Sequence, residues 1–449
     1  MNLSEAQNIY FIGIGGIGMS ALAQYFVLNG KNVAGYDKTK TPLTDSLIKL
    51  GIILHYNDNI SSIPVSYFNK QNTVIVYTPA VFKNHTELVY FKTNNYTVLK
   101  RAEALAEITK NSFCLAVAGT HGKTTSASIL GHIMQTVGAS AFLGGIAENY
   151  NSNLILGKNN ISVVEADEYD RSFLKLSPNI ACITSTDTDH LDCYSQADNL
   201  LQSFKDFASQ VSNTLLVAET TALKKHLTYG FSKKAHYRVF DLKVNKGTYV
   251  FCVHTPSKII KDLKFCLPGK HNLMNALAAL AMADIYGISS KIIRQQLNTF
   301  KGVQRRFSYK IKTKSVVLID DYAHHPTEIN AVYNSVKEMH PKQKILAVFQ
   351  PHLFSRTQYF ADEFAKALSK FDQVILLDIY AAREHPIKGI SSIWLLDKIK
   401  IKNKKLCTKE NLDKNIIQSK AKVIVIMGAG DIGLLVNPIK SKLKEKYNL

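Results

Sequence analysis

The chain has 449 residues, 46% hydrophobic and 20% charged, which is enough for two to four ordinary globular domains. No apolar run reaches the roughly 18 residues needed to span a bilayer, and the polar start Met1 to Gln7 leads straight into a strand, so neither membrane insertion nor a secretory leader is expected. Six cysteines (114, 182, 193, 252, 266 and 407) lie scattered without a C-x-x-C, so reduced thiols in a cytoplasm are expected. The net charge of +20 invites a nucleic-acid reading, but 47 of the basic residues are Lys and only 8 are Arg, the poorer choice for bidentate phosphate and base contacts. No nucleic-acid partner is expected.

The apolar strand Asn8–Ile12 runs into Gly13-x-Gly15-x-x-Gly18, then a helix to Gly30, then a second strand ending at Asp37. Glycines in the turn, a helix N-terminus and an acid 19 residues on form the dinucleotide-type fingerprint. A diphosphate on that helix N-terminus is expected, with Asp37 on a sugar hydroxyl. His55 reads as a surface-loop histidine. A third strand, Thr73 to Tyr77, ends in Thr78-Pro79-Ala80 at the ligand-side edge.

After a helix over Ala102 to Thr109, the strand Phe113–Val117 leads into Ala118-Gly119-Thr120-His121-Gly122-Lys123-Thr124-Thr125 and a helix over Ser126 to Val137, closed by Gly138. Strand, glycine turn, Lys-Thr and helix make a phosphate cradle. Lys123 would reach the β/γ-phosphates and the Thr124 hydroxyl would hold Mg²⁺. Val117 stands where the usual loop has its first glycine, so the loop is short. The strand Ile161–Val164 then ends in four acids within six residues, Glu165, Asp167, Glu168 and Asp170. Hard cations take carboxylate oxygens, and Glu165, the first residue past the strand, is the favoured ligand. His190, among acids after the strand Ile180–Thr184, is a second candidate metal or phosphate contact.

A helix is expected over Leu201 to Gln210. Leu215 to Asp262 reads as strand-rich and carries no evident chemistry. His271, Asn272 and Asn275 crowd the first turn of a strongly helical stretch from Leu267; such residues cap a helix or bond a purine. Lys301 to Phe307 reads as an interdomain joint with Arg305 and Arg306 paired. Four strands follow, ending at Asp320-Asp321-Tyr322-Ala323-His324-His325, Gln350-Pro351-His352, Asp378-Ile379-Tyr380 and Gly428-Ala429-Gly430-Asp431. Open α/β sheets keep their sites at that edge.

Taken together, FIGIGGIGMS at 11–20, GTHGKTT at 119–125, EADEYDRSF at 165–173, DHLD at 189–192, PGKHNLMNALAA at 268–279, GVQRRF at 302–307, DDYAHHPTEI at 320–329, QPHLFSRT at 350–357 and GAGDI at 428–432 resemble, in order and spacing, the Mur ligase family of peptidoglycan synthesis. The resemblance implies three α/β domains: a Rossmann-like UDP-sugar-binding domain over 1–108, a phosphate-loop ATPase domain over 109–302 and a Rossmann-like domain over 303–449. It implies ATP and Mg²⁺ as cofactors, UDP-N-acetylmuramate and L-alanine as substrates, an acyl phosphate intermediate, and a monomer or weak homodimer. It places Gly15, Gly16, Ile17, Gly18 and Met19 at the UDP diphosphate, Gly119, Thr120, His121, Gly122, Lys123, Thr124, Thr125, His271, Asn272, Asn275, Arg306 and Asp321 at ATP, with Asp321 on its ribose, and Thr124, Glu165 and His190 at metal. Tyr322, His324 and Arg356 then face the alanine and acyl-phosphate region; Lys123, His190, His324 and Arg356 are the catalytic candidates. Leu353 replaces an Arg common in alanine-adding members. Where other members carry a carbamylated Lys this chain has Phe204, and Lys205 beside it is expected to be unmodified.

Overall fold

The computed structural model describes residues 2–187, 197–245, 248–382 and 384–449. Three sheets follow one another along the chain. Chain contacts divide it into two compact units: residues 1–242, 251–263 and 275–300, and residues 243–250, 264–274 and 301–449. No helix among the described residues is long and apolar enough to cross a membrane.

The first sheet holds β1 (Asn8–Ile12), β2 (Asn32–Tyr36), β3 (Ile53–His55), β4 (Thr73–Tyr77) and β5 (Thr97–Lys100), all parallel, in the order β3-β2-β1-β4-β5. Every residue of β1 is buried, as a central strand of a sheet covered on both faces requires. His55 closes β3 instead of lying in a surface loop; its register partner is Tyr36.

The second sheet holds β6 (Phe113–Ala118), β7 (Ser140–Ala147), β8 (Ser152–Ile155), β9 (Ile161–Glu165), β10 (Ile180–Ile183), β11 (Thr214–Ala218), β12 (Leu227–Gly230), β13 (Tyr237–Asn245), β14 (Thr248–His254) and β15 (Ile259–Phe265). Their order is β15-β14-β13-β12-β11-β10-β6-β9-β7-β8. The helix Ile17–Leu28 is apolar nearly all round because it is covered twice. Met19, Leu22 and Phe26 share one core with Phe142, Leu154 and Val164, and Tyr25 lies 5.3 Å from the Phe142 ring. Polar contacts fix its position: the buried Asn153 donates to Ile17 O at 2.5 Å and accepts from Gln24 at 2.7 Å.

The last sheet holds β16 (Ser308–Lys312), β17 (Val317–Asp321), β18 (Ile345–Phe349), β19 (Gln373–Leu376), β20 (Lys404–Leu406) and β21 (Val423–Met427), in the order β16-β17-β21-β18-β19-β20. Only β16 is antiparallel. Asp320 and Asp321 fall inside β17, not beyond it, and both are buried. The helix expected over 126–137 starts earlier, at Lys123, and tightens into a 3₁₀ turn at Gln135–Val137 before Gly138.

Candidate active site

Two glycine turns lie in the first unit. The phosphate loop leaves β6 at Ala118 and enters the helix Lys123–Met134. Gly122, the N-cap residue, is left-handed at φ +85°, and a Cβ there would lie 2.4 Å from Asn275 Oδ1. Gly119 has φ +127°, and its Cβ would strike the Thr184 hydroxyl at 2.3 Å. Only glycine meets both demands at each position. Thr120 is fixed by Ser185, hydroxyl to hydroxyl at 2.8 Å, and its Oγ1 accepts from Asp187 N–H at 3.1 Å. His121 Nε2 lies 3.7 Å from Asp187 Oδ2. Thr125 is buried in the first turn of the helix.

Lys123 donates to Gly119 O at 2.8 Å and to both carboxylate oxygens of Glu168, at 2.8 and 2.7 Å. Burial opposes the ammonium charge, but Glu168, then Asp167 and Glu165, outweigh it and hold the Lys123 pKa above its ordinary value. Lys123 is therefore a fixed positive charge at the mouth of the loop. Glu168 is fully buried and was not singled out from the sequence; its only signal was membership of the acid run. Thr124 Oγ1 donates to Glu165 Oε1 at 2.9 Å, and Glu165 Oε2 accepts from Gly144 N–H at 2.9 Å. Glu165 is the last residue of β9, not the first past it.

This hydroxyl–carboxylate pair is a hard-oxygen donor set that fits Mg²⁺. Among the described residues no group of three or more His, Cys, Asp or Glu side chains forms a cage. A cation carried in by phosphates needs none, since Mg²⁺ keeps waters and phosphate oxygens. His190, like Arg383, lies outside the described residues.

The other turn, 13–19, begins the helix Ile17–Leu28 with Gly16 as N-cap. The backbone N–H groups of Ile17, Gly18 and Met19 are first-turn donors without intrahelical acceptors. Two expectations change here. Gly15 N–H donates to Asp37 Oδ2 at 2.7 Å, and Asp37 Oδ1 accepts from Thr39 N–H at 3.0 Å, so Asp37 braces the turn and takes one of its donors. The Met19 side chain is buried in the core, which leaves only its backbone to a ligand. Arg101, packed against Gly18, reaches Asp167 Oδ2 at 3.4 Å, which ties this turn to the acid run behind the phosphate loop.

Asn275 belongs to the phosphate-loop group: its Oδ1 lies over Gly122 and accepts from Ser126 at 3.3 Å. Asn272, one turn earlier on the helix Lys270–Tyr286, donates to Pro268 O at 2.7 Å, which ties it to the chain entering its own helix. Exposed Lys205 stands beside Phe204, whose buried ring packs against Phe173 at 5.5 Å, so no lysine replaces Phe204 in that core.

In the second unit the expected residues also gather. Arg305 and Arg306 lie over the Tyr322 ring, 4.9 and 5.1 Å from its centroid. Asp321 accepts from Phe307 N–H and Ala323 N–H, both at 2.7 Å, and burial pushes its carboxyl up to about 7. It shapes the joint, whatever further hydroxyl it meets. His324 Nδ1 lies 2.9 Å from Tyr322 O and 3.2 Å from Glu328 Oε2. Glu328, 3.9 Å from Arg306 and bonded to the His324 and His325 N–H groups, was missed, although its place at the third helical position after Pro326 is a sequence sign of a capping box. Burial, with Arg306 adding to it against Glu328, lowers His271 to about 4, so its imidazole is neutral. Buried Arg356 meets His352 Nδ1 at 3.3 Å, and His352 stacks on Tyr380. Leu353, at φ +69°, carries the turn into the helix Phe354–Tyr359. Gln350 joins β18 to β21, donating to Asp431 and accepting from Ile432 N–H.

A locked lysine in a phosphate loop, a hydroxyl–carboxylate pair beside it and a second glycine turn at a helix N-terminus in the same unit have the layout of a nucleotide-dependent transferase or ligase. Three family profiles match in chain order: "Mur ligase family, catalytic domain" over residues 8–113, "Mur ligase middle domain" over 117–283 and "Mur ligase, glutamate ligase domain" over 305–430. The chain belongs to the Mur ligase family. It is 57% identical to the UDP-N-acetylmuramate–L-alanine ligase of Flavobacterium psychrophilum over 450 residues, covering 99% of this chain and 100% of that one. It is 55% identical to the enzyme of the same name from Flavobacterium johnsoniae, with the same coverage. Among solved structures, the UDP-N-acetylmuramate-alanine ligase of Thermotoga maritima superposes with a TM-score of 0.82 at 29% identity, over 98% of this chain and 99% of that one. A murein peptide ligase from Psychrobacter arcticus shares the fold, with a TM-score of 0.70 at 19% identity and coverage of 98% and 99%.

Proposed function

We propose that this chain joins L-alanine to the carboxylate of UDP-N-acetylmuramate with the cleavage of ATP to ADP and phosphate. The observation that carries the reading is the pair of glycine turns, one with a locked lysine and one without, in a chain 57% identical along its length to a ligase of that name. Residues 1–108 would bind the UDP-sugar, 109–302 would bind ATP, and 303–449 would complete the alanine side. The chain is read as a cytoplasmic monomer or weak homodimer.

A carboxylate is a poor electrophile until it carries a leaving group. The muramyl carboxylate oxygen attacks the γ-phosphorus and the bond to ADP breaks. The alanine amine then attacks the acyl carbon, and phosphate leaves with the bonding pair. Two anions must meet in the first step, and Lys123 supplies fixed positive charge where they do. Thr124 and Glu165 would hold Mg²⁺, which when bound screens the phosphates. Gly119 to Gly122 and Thr125 wrap the phosphates, and Asn275 bears on the adenine side. His271, Asn272, Arg306 and Asp321 are assigned to the remaining nucleotide contacts. Tyr322, His324 and Arg356 are assigned to the acyl phosphate and alanine, and His324 is the candidate to take the amine proton.

Phosphate release tests the whole reading. It is expected only when ATP, UDP-N-acetylmuramate and L-alanine are all present. Release that needs a tripeptide in place of alanine would move the chain to the murein peptide ligases. Release with DNA would overturn the reading.

A further inference from the structure

Behind the UDP-sugar turn lies a buried chain of titratable groups that the proposed reaction does not use. Tyr10, in the middle of β1, is fully buried. Its hydroxyl lies 2.6 Å from His55 Nε2 and 2.8 Å from Glu87 Oε2. Glu87, on the helix Thr86–Thr93, is also fully buried, and its Oε1 lies 3.5 Å from His55 Nε2. His55 Nδ1 is 3.0 Å from Asn57 O.

Counting hydrogens exposes a deficit. A carbonyl only accepts, so Nδ1 must carry a hydrogen and donate to Asn57 O. With histidine neutral, Nε2 is then an acceptor. With Glu87 ionised, its carboxylate is an acceptor too. Both face the single hydrogen of the Tyr10 hydroxyl, so either the buried Glu87 or the partly buried His55 goes without it, which is unfavourable. One added proton satisfies every bond. It can sit on Glu87, with hydrogens running Glu87 to Tyr10 to His55, or on His55, with hydrogens running the other way. Burial favours the uncharged arrangement, since it pushes Glu87 up to about 7 and lowers His55.

The Asn59 backbone also bonds Glu87 and favours its ionised form, but burial outweighs it. Asp58 accepts from Thr86 N–H and Glu87 N–H and lies 3.3 Å from His85 Nδ1. Tyr36 from β2 meets the His85 and His55 rings, and Tyr67, from the 3₁₀ turn Val65–Phe68, packs on Tyr10. No lysine or arginine is among these contacts.

The chain of bonds continues to the ligand turn. His55 O accepts from Asp37 N–H at 3.1 Å, and Asp37 Oδ2 accepts from Gly15 N–H at 2.7 Å. We infer that Glu87 is a positioning residue for UDP-sugar binding: through Tyr10 and His55 it holds one shared proton that fixes the β2–β3 edge and, by way of Asp37, the glycine turn. The inference rests on the reading of that turn as the UDP-sugar site.

Calorimetric titration of the full chain with UDP-N-acetylmuramate, without ATP, tests it. The diphosphate of this ligand has no second ionisation near neutrality, so the ligand's charge is constant through the range used. Affinity is expected to fall about 10-fold between about pH 6 and about pH 8.5, the effect of one buried acceptor losing its hydrogen. Glu87→Gln carries a permanent donor for the Tyr10 oxygen and is expected to bind equally at both ends of that range. Tyr10→Phe is expected to bind about 10-fold more weakly at both. A flat wild-type profile, or a Glu87→Gln variant that keeps the wild-type slope, overturns the inference; Glu87→Gln decides alone if Tyr10→Phe does not fold. No binding by wild type at any pH overturns the reading of the turn itself.

Discussion

The two glycine turns of the first unit share a backbone plan and differ in what stands behind them. Both bring a buried parallel strand through a turn into a helix N-terminus. Behind the phosphate loop, Glu168 locks an ammonium in place with two short contacts, and Glu165 holds the Thr124 hydroxyl. Behind the turn at 13–19, Asp37 takes a backbone N–H, the helix's first turn carries no basic residue of its own, and the guanidinium packed on Gly18, that of Arg101, is paired with Asp167. A diphosphate that stays intact needs only to be held, and helix dipole and N–H groups can hold it. A phosphate that changes partners needs charge placed where charge moves, and it needs that charge fixed beforehand.

Lys123→Ala is the strongest test of that division. Ligation is expected to fall by at least about 1000-fold, as for other residues that neutralise a transferring phosphoryl group, while titration with UDP-N-acetylmuramate is expected to be unchanged. Loss of both would erase the distinction between the turns.

Glu168→Gln asks whether the lock is structural as well as catalytic. The three hydrogens of the Lys123 ammonium meet Gly119 O and the two Glu168 oxygens. An amide cannot balance the charge and presents one oxygen in place of two. Breaking a buried pair in this way costs about 3 kcal/mol, read as a lowered midpoint in denaturant. With its pKa held up by Glu168, Lys123 contributes stability below the unfolded-state value of about 10.5 and loses it as pH rises above that. The variant is expected to lose that contribution throughout the neutral range.

Gly16→Ala probes the turn without a lysine. The backbone there is extended, at φ −63°, and the nearest atoms to an added Cβ are 3.6 Å away or more. Thermal stability is expected to hold. If that face takes the diphosphate, as proposed, a methyl group there is expected to weaken UDP-N-acetylmuramate about 10-fold. Unchanged affinity would place the diphosphate elsewhere.

What was legible in the sequence follows the same contrast. Continuous apolar runs such as Asn8–Ile12, Phe113–Val117 and Ile345–Phe349 mark buried parallel strands by themselves, and the polar residues that follow them fall at the strands' C-terminal edge. Residues whose role depends on a distant partner were not legible. Glu168 looked like one acid among four until folding set it beside Lys123. Asn153 gave no signal, because its partners Ile17 O and Gln24 lie more than 120 positions away. His55 looked like a loop residue because β3 is only three residues long, too short for a pattern to show.

Asp37→Asn gives the smallest effect and the finest discrimination. Asp37 looked from its spacing like a sugar ligand, yet both of its oxygens accept backbone N–H groups. An asparagine oxygen can serve Gly15 or Thr39, and its NH₂ then faces the other N–H. If bracing the turn is the role of this side chain, stability falls by about 1 kcal/mol, and UDP-N-acetylmuramate weakens only as far as the loosened turn explains. If Asp37 instead bonds the sugar directly, the amide can still donate or accept there, and affinity changes without a matching loss of stability. Measuring the thermal midpoint and the affinity on the same variant separates the two.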